Sequence, residues 1–353
     1  MNRMVCVTLI VLAAAGAACG GDDDSTATEV SAASSASTSG SAVATTTIDA
    51  TAAPASTGEP SGAFEPVTIE HAFGSTTFEQ RPQRIATLGM QWTDVVLAMG
   101  EAPVAHIADP NAGDGDIYPW QSGLLDGSTG LPVTSAQDIP FEQLAALDPD
   151  LILVTYLADD QSIYDRLDAI APTIGLLGER QVDRWQDMIT VAGQFLGDPE
   201  RAAAVTAEVD GVMADASTEL AGLAGKTFSL ANFVPGDAIY VVADPEDGSS
   251  VFFQQLGMAI DPDVLAAADG VSGRATFSFE QASLLDGDLL VLFTNGADPS
   301  TMIGFDQLGV VADGAAAVID YASVVGLNTP TPLSVPYSLD VVRPQLQAAA
   351  GGA

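Results

Sequence analysis

Few side chains in this 353-residue chain could do covalent or metal chemistry. There are two histidines, His71 and His106, and two cysteines, Cys6 and Cys19. A zinc or manganese site built on several histidines is therefore out of reach, though a carboxylate-rich site remains open. GVSGR, residues 270 to 274, has Arg274 where the nucleophile-elbow pattern needs its last glycine. The stretch beginning at Asp109 starts like a calcium loop, but Trp120 stands where the twelfth-position glutamate belongs. Gly113-Asp114-Gly115 is too short for a dinucleotide fingerprint. His106 reads as a strand-end residue. Together these residues point away from an enzyme and from a resident metal or cofactor.

Charge is the other chemical resource. Asp and Glu outnumber Lys and Arg 47 to 10, Lys226 is the only lysine, and the formal net charge is -37. Such a balance argues against nucleic acid or an anionic membrane surface as partner. The acids also recur in a pattern. FEQLAALDPDLILV (141 to 154) and FEQASLLDGDLLVL (279 to 292) share Phe, Glu, Gln, Leu, Asp, Asp and Leu at matching positions. Each copy reads as a short helix headed by an acid, an Asp-Pro-Asp or Asp-Gly-Asp stop, and a buried parallel strand. Ser278 and Gln281 have capping-box spacing, which puts Glu280 in a first helical turn, where the dipole favours a carboxylate. Pro140 presets the helical φ in the first copy and leaves Glu142 at the corresponding place.

The elements around this pair alternate. Residues 67 to 80 read as a hairpin about Gly74-Ser75, followed by a strand (81 to 89), a helix closed by Gly100, and a strand (103 to 109). A long loop, 108 to 134, carries Tyr118 and Trp120. After the first copy come a helix near 159 to 170, a short strand at 172 to 176, and an apolar helical stretch beyond Trp185. From Pro199 to Ala224 the pattern is one continuous helix with Gly225 beyond it, about 35 to 40 Å long. The alternation then restarts, with strands at 227 to 233 and 239 to 242, a helix at 251 to 256, the second copy, a strand at 317 to 320 and a last helix ending near 348. This is an α/β chain of two lobes with mostly parallel sheets, joined by one long helix, with a ligand cleft between the lobes. The expected boundaries are 64–198 for the N-terminal lobe, 199–225 for the connecting helix and 226–353 for the C-terminal lobe.

Ahead of the lobes, Arg3 and the apolar run Met4 to Ala18 read as an export signal, 1–18, too short to span a bilayer. Gly16-Ala17-Ala18-Cys19 resembles the lipobox of bacterial lipoproteins, with Gly16 where Leu is usual, and makes Cys19 the expected lipidation site. A soluble secreted protein with a cleaved signal is the alternative. Residues 19–63, rich in Ser, Thr, Ala and Gly, read as a disordered tether of about 35 to 40 Å root-mean-square span.

Several stretches, in order, resemble the iron-siderophore and vitamin B12 group of ABC-transporter substrate-binding proteins. They are RPQRIATLG, DVVLAMGEAPVAHIAD, FEQLAALDPDLILVTY, IAPTI, FFQQLGM, FSFEQASLLDGDLLVLF and NTPTPLSVPYSLDVV, and the resemblance covers roughly residues 65 to 347. It implies two α/β lobes on a rigid helix, a ligand in the cleft, and a glutamate on each lobe that engages arginines of a membrane permease. Glu142 and Glu280 stand at those positions. It also directs attention to aromatics and arginines on loops expected at the cleft: Trp92, Tyr118, Trp120, Tyr156, Arg184, Trp185, Phe233, Tyr240 and Arg274. Aromatics suit flat metal chelates and arginines suit anionic oxygens. Each aromatic has core packing, and each arginine a surface ion pair, as its alternative role.

The resulting expectation is a monomeric, lipid-anchored extracytoplasmic protein that captures a ferric siderophore and delivers it to an ABC importer. Cobalamin or haem are alternative ligands, a surface sensor or interaction protein is the alternative role, and a hydrolase is a weaker third. The net charge favours a neutral or cationic hydroxamate chelate over a carboxylate or catecholate one.

Overall fold

The structure, a computed structural model, describes residues 64–351 apart from 159, 179–181 and 269–272. The expected export signal, Cys19 and the tether lie outside the described residues. A hairpin comes first, β1 (Val67–His71) and β2 (Gly74–Phe78). His71 pairs with Gly74, so the turn is Ala72-Phe73, two residues earlier than the alternation suggests. Gly74 enters its strand at φ 131°, a conformation that glycine tolerates without strain.

The first sheet is built from β3 (Ile85–Leu88), α1 (Met90–Ala98), β4 (Ala105–Ile107), β5 (Thr129–Leu131), α2 (Phe141–Ala146), β6 (Leu151–Val154), α3 (Gln161–Asp168) and β7 (Thr173–Ile174). Its order is β5-β4-β3-β6-β7, and every pair is parallel. β5 was hidden in the long loop, because Thr-Gly-Leu has no alternation long enough to read. Strands buried on both faces lose the apolar/polar alternation that marks a half-exposed strand. Accordingly Ile85, Leu151 and Leu153 face one apolar cluster, and Ala86, Leu88, Ile152 and Val154 face another.

α4 (Trp185–Phe195) and α5 (Pro199–Glu219) then lead to the second sheet. α5 is about 30 Å long, shorter than the sequence pattern, which runs to Ala224. Leu220 leaves helical geometry, and a 3-10 turn, Ala221–Leu223, passes tightly against the last helix. A Cβ on Gly222 would lie 2.2 Å from the carbonyl oxygen of Ala350. Beyond it come β8 (Thr227–Phe233), β9 (Ile239–Val242), α6 (Gly248–Gln255), β10 (Ala259–Ile260), α7 (Pro262–Ala267), β11 (Arg274–Phe277), β12 (Leu289–Phe293), α8 (Gly309–Ala312), β13 (Ala316–Ile319), α9 (Tyr321–Asn328) and α10 (Ser334–Ala349). The strand order is β11-β9-β8-β12-β13, with β10 beside β8. β8, β12, β13 and β10 run parallel, β9 runs antiparallel to β8, and β11 pairs antiparallel with β9, so this sheet is mixed. A core cluster runs without a break from Ile85 and Trp92 through α4 and α5 to β8, β12 and α10.

The repeated stretch occupies equivalent places in the two sheets. β6 lies parallel beside β3, and β12 lies parallel beside β8. The second aspartate of each copy clasps the start of that neighbouring strand. Asp150 accepts the backbone N–H groups of Gln83 and Arg84, each at 2.8 Å. Asp288 accepts the N–H of Thr227 at 2.8 Å and pairs with Lys226 Nζ at 2.9 Å. Each carboxylate thus satisfies backbone donors ahead of the ladder and sets its register. The helices of the two copies differ: α2 is a short α-helix with Pro140 just before it, while Phe279–Leu285 is a 3-10 helix. Ser278 N–H donates to Gln281 Oε1 at 3.0 Å, as the capping-box spacing requires.

Replacing Asp288 by alanine removes the acceptor of a backbone donor and of Lys226. We expect Asp288→Ala to lower unfolding stability by about 1 to 2 kcal/mol in urea. An unchanged midpoint would show that the clasp contributes nothing.

Candidate functional site

The C-terminal ends of the parallel strands are where an open α/β sheet leaves a crevice. In this chain those ends carry a connected set of polar aromatics. Asp109 lies two residues beyond β4, Tyr156 two beyond β6, and Tyr321 two beyond β13. Tyr118 Oη donates to Asp109 Oδ2 at 2.7 Å, and Tyr321 Oη donates to the same oxygen at 3.1 Å. A residue of the first sheet therefore binds one of the second directly. Asp109 Oδ1 accepts the backbone N–H of Asn111 at 2.9 Å and its Nδ2 at 3.3 Å. The phenol pKa values of Tyr118 and Tyr321 lie above the usual range, through desolvation first and the Asp109 carboxylate second.

The long loop reaches this seam through a second carboxylate. Asp94, on α1, has no solvent-exposed surface. It accepts Gln121 Nε2 on Oδ1 at 2.6 Å, and Trp120 Nε1 at 2.7 Å and Thr331 Oγ1 at 2.6 Å on Oδ2. Gln121 returns its other end to the loop, accepting the N–H of Tyr118 at 3.2 Å. Trp120 is consequently pinned, stacked on Tyr118 at 4.9 Å between ring centroids and tilted against Tyr337 at 5.1 Å. Its ring comes so close to α9 that a Cβ on Gly326 would meet it at 3.1 Å. Gly89 serves a similar purpose at the end of β3, where a Cβ would sit 2.5 Å from Thr155 Oγ1.

The candidate residues separate into groups. Tyr118, Trp120 and Tyr156 come together around Asp109. Tyr156 is 53% exposed. Trp92 and Trp185 are buried in the main core, with Trp92 tilted against Phe195, so their rings are occupied by packing. Phe233 is also buried, edge-on to Phe279 at the end of β8. Tyr240 Oη donates to Asp237 at 2.7 Å. Arg274 pairs with Asp247, the N-cap of α6, at 3.0 Å. Through β9 it lies three residues back from the level of Phe233, about 10 Å along the strand. Arg184 is exposed at the start of α4. Glu142 and Glu280 are both exposed in first turns, Glu280 held below the ordinary carboxylate range by its own backbone N–H and by Ser278. Beside Glu142 the Arg166 guanidinium lies 3.6 Å over the Phe141 ring, lining a depression of about 400 Å³.

Asp94, Asp109, Tyr321 and Thr331 are not among the site residues that the sequence suggests. Asp94 sits among apolar positions of α1, and that was its only available signal: a carboxylate on a core face needs a buried partner. Neither histidine joins the seam. His71 Nε2 hydrogen-bonds Thr76 Oγ1 at 3.1 Å inside the hairpin. His106 Nδ1 hydrogen-bonds Ser128 Oγ at 2.8 Å, and among the described residues no carboxylate bonds its other nitrogen, so the orienting third member of a nucleophile–base arrangement is missing. Among the described residues no group of three or more His, Cys, Asp or Glu could hold a metal.

Known proteins share this architecture. Residues 85–305 match a family described as periplasmic binding protein. The chain is 29% identical over 236 residues to the probable siderophore-binding lipoprotein YfiY of Bacillus subtilis, covering 65% of this chain and 70% of that one. It is 24% identical over 253 residues to the putative ABC transporter substrate-binding lipoprotein YhfQ of the same organism, covering 70% and 76%. In fold it is similar to Streptococcus pneumoniae PiaA, solved in complex with ferrichrome, with a TM-score of 0.67 at 22% identity over 81% of this chain and 99% of that one. A periplasmic solute binding protein from Mycobacterium smegmatis gives a TM-score of 0.68 at 24% identity over the same shares.

Burial lifts the Asp94 pKa to about 7 against the lowering effect of its three donors. The folded state therefore holds this proton more tightly than the unfolded chain, and stability falls as pH rises from about 4 to about 7. Asp94→Asn cannot titrate. The stability difference between native protein and variant should shift by about 2 to 3 kcal/mol against the native chain between pH 5 and pH 8 in urea melts. A difference independent of pH would refute the buried-proton account.

Proposed function

This chain belongs to the periplasmic binding protein family, and we propose that it captures a ferric siderophore outside the cytoplasm and delivers it to an ABC importer. The observation that carries this reading is the seam at the strand ends, where Tyr118 and Tyr321 meet on Asp109 and bring an aromatic, phenol-rich surface from both sheets to one place. Such a surface suits a compact metal chelate, which offers flat faces and oxygen atoms but needs no covalent chemistry. The lipoprotein relatives named for siderophore binding and for ABC transport support the same role.

In this reading the protein is a monomer without catalytic function. Tyr118, Trp120 and Tyr156 line or support the ligand surface, with Arg184 and Tyr240 as more peripheral contacts. Cys19 is the lipid anchor, and the segment from 19 to 63 tethers the two lobes, 64–198 and 226–353, above the membrane. The exposed carboxylates of Glu142 and Glu280, one on each copy of the repeat, dock on permease arginines. Helix-presented carboxylates and guanidinium groups form charge-assisted pairs that orient two surfaces.

Two measurements test the reading. Thermal-shift and fluorescence titrations against ferric hydroxamates, ferric catecholates, ferric citrate, haem and cobalamin should single out a ferric chelate, because a ligand of the folded state raises its melting point by mass action. Stabilisation by cobalamin or haem alone would redirect it. For docking, combining Glu142→Arg with Glu280→Arg should abolish uptake while leaving chelate affinity unchanged. Retained uptake, or affinity lost together with uptake, rules the docking role out.

A further inference from the structure

We propose that Asp109 makes the seam selective for ferric chelates with a positively charged or hydrogen-bond-donating face, such as an ammonium-bearing trihydroxamate, and selective against anionic chelates. The inference rests on the ferric-siderophore reading above.

Hydrogen-bond donors converge on the Asp109 carboxylate. Four donors reach it: the phenols of Tyr118 and Tyr321 on Oδ2, and the backbone and side-chain amides of Asn111 on Oδ1. All four are neutral, so they satisfy its lone pairs without cancelling its charge. Nor is Asp109 an exposed acid diluted by water, since it is half-buried against Tyr118, which is itself buried. A carboxylate only accepts. Each phenol therefore commits its single O–H to Asp109 and has only lone pairs left for a third group. Tyr118 is buried, so a ligand arriving at the seam meets the half-buried Tyr321 hydroxyl as an acceptor backed by a negative charge.

The same charge reaches Tyr156, the exposed aromatic of the seam. Ferric tricatecholates and ferric citrate present negatively charged oxygen and would face acceptors with acceptors. A trihydroxamate chelate is neutral at the metal, and a pendant ammonium adds a cation that the Asp109 field attracts. Net charge, distributed over the whole surface, is screened within about 8 Å at physiological salt, whereas a half-buried carboxylate at the ligand surface is screened far less. Discrimination is thus assigned to this residue and not to the overall acidity of the chain.

The test compares three probes by tryptophan fluorescence: ferrioxamine B, which carries a free ammonium; its N-acetylated form, which is neutral; and a ferric tricatecholate. The native chain should prefer ferrioxamine B over the acetylated form by about tenfold or more and bind the tricatecholate most weakly. Asp109→Asn keeps an acceptor oxygen for the phenols but removes the charge; it should abolish the preference and tighten tricatecholate binding. Tyr321→Phe, which keeps the charge, should retain the preference. Equal weakening of all three probes in Asp109→Asn would overturn the inference in favour of a purely structural clamp, as would an unchanged preference. Should Asp109→Asn not fold, the native chain decides: a tricatecholate bound as tightly as ferrioxamine B overturns the inference. A folded native chain that binds none of the three removes the siderophore reading itself and this inference with it.

Discussion

A carboxylate without solvent contact, Asp94, holds the seam between the two sheets together. Asp94 belongs to α1, yet its three partners come from the long loop and from the segment leading into α10. Burying a carboxylate is costly unless its lone pairs are filled, so the fold must bring Trp120, Gln121 and Thr331 to it at once. Those three commitments place Trp120, Trp120 stacks on Tyr118, and Tyr118 donates to Asp109. The geometry of the seam descends from that one buried group.

Two carboxylates with opposite circumstances then divide the work. Asp94 is enclosed, and burial raises its proton affinity, so it acts as an internal clamp between segments far apart in sequence. Asp109 is half-buried and supplied with neutral donors, and its charge faces the strand ends. A second pair, Asp150 and Asp288, works at the opposite ends of the strands, where each receives backbone donors ahead of β3 or β8. What each of these four carboxylates is bonded to is not revealed by residue type alone.

The architecture was largely legible. Apolar runs with Gly and Pro stops mark β3, β6, β8 and β12, and Pro199 followed by a long helical pattern marks α5, because burial on both faces and helix capping leave local traces. Legibility failed where the deciding contact is distant. β5 has only three residues and exists because β4 is beside it. α5 stops at Glu219, not Ala224, because the 3-10 turn after it passes tightly against the end of α10. β11 is antiparallel through its partner β9, not through any pattern of its own. The aromatics divided in the same manner: nothing in their local sequence separates Trp92, enclosed against Phe195, from Tyr156, left exposed beyond β6.

By itself the sequence determined the class of the fold: an α/β chain with a duplicated helix–strand unit and acids at the helix starts. Those features are local or compositional, and the short-range physics of periodicity, capping and charge suffices to read them. Tertiary structure alone decided which polar side chains form the seam. Asp109 and Tyr321 are separated by 212 residues, and their hydrogen bond exists only once two sheets present their strand ends to each other. Pairings of that range depend on topology, which determines where a side chain arrives, and on burial, which determines what it must then bind.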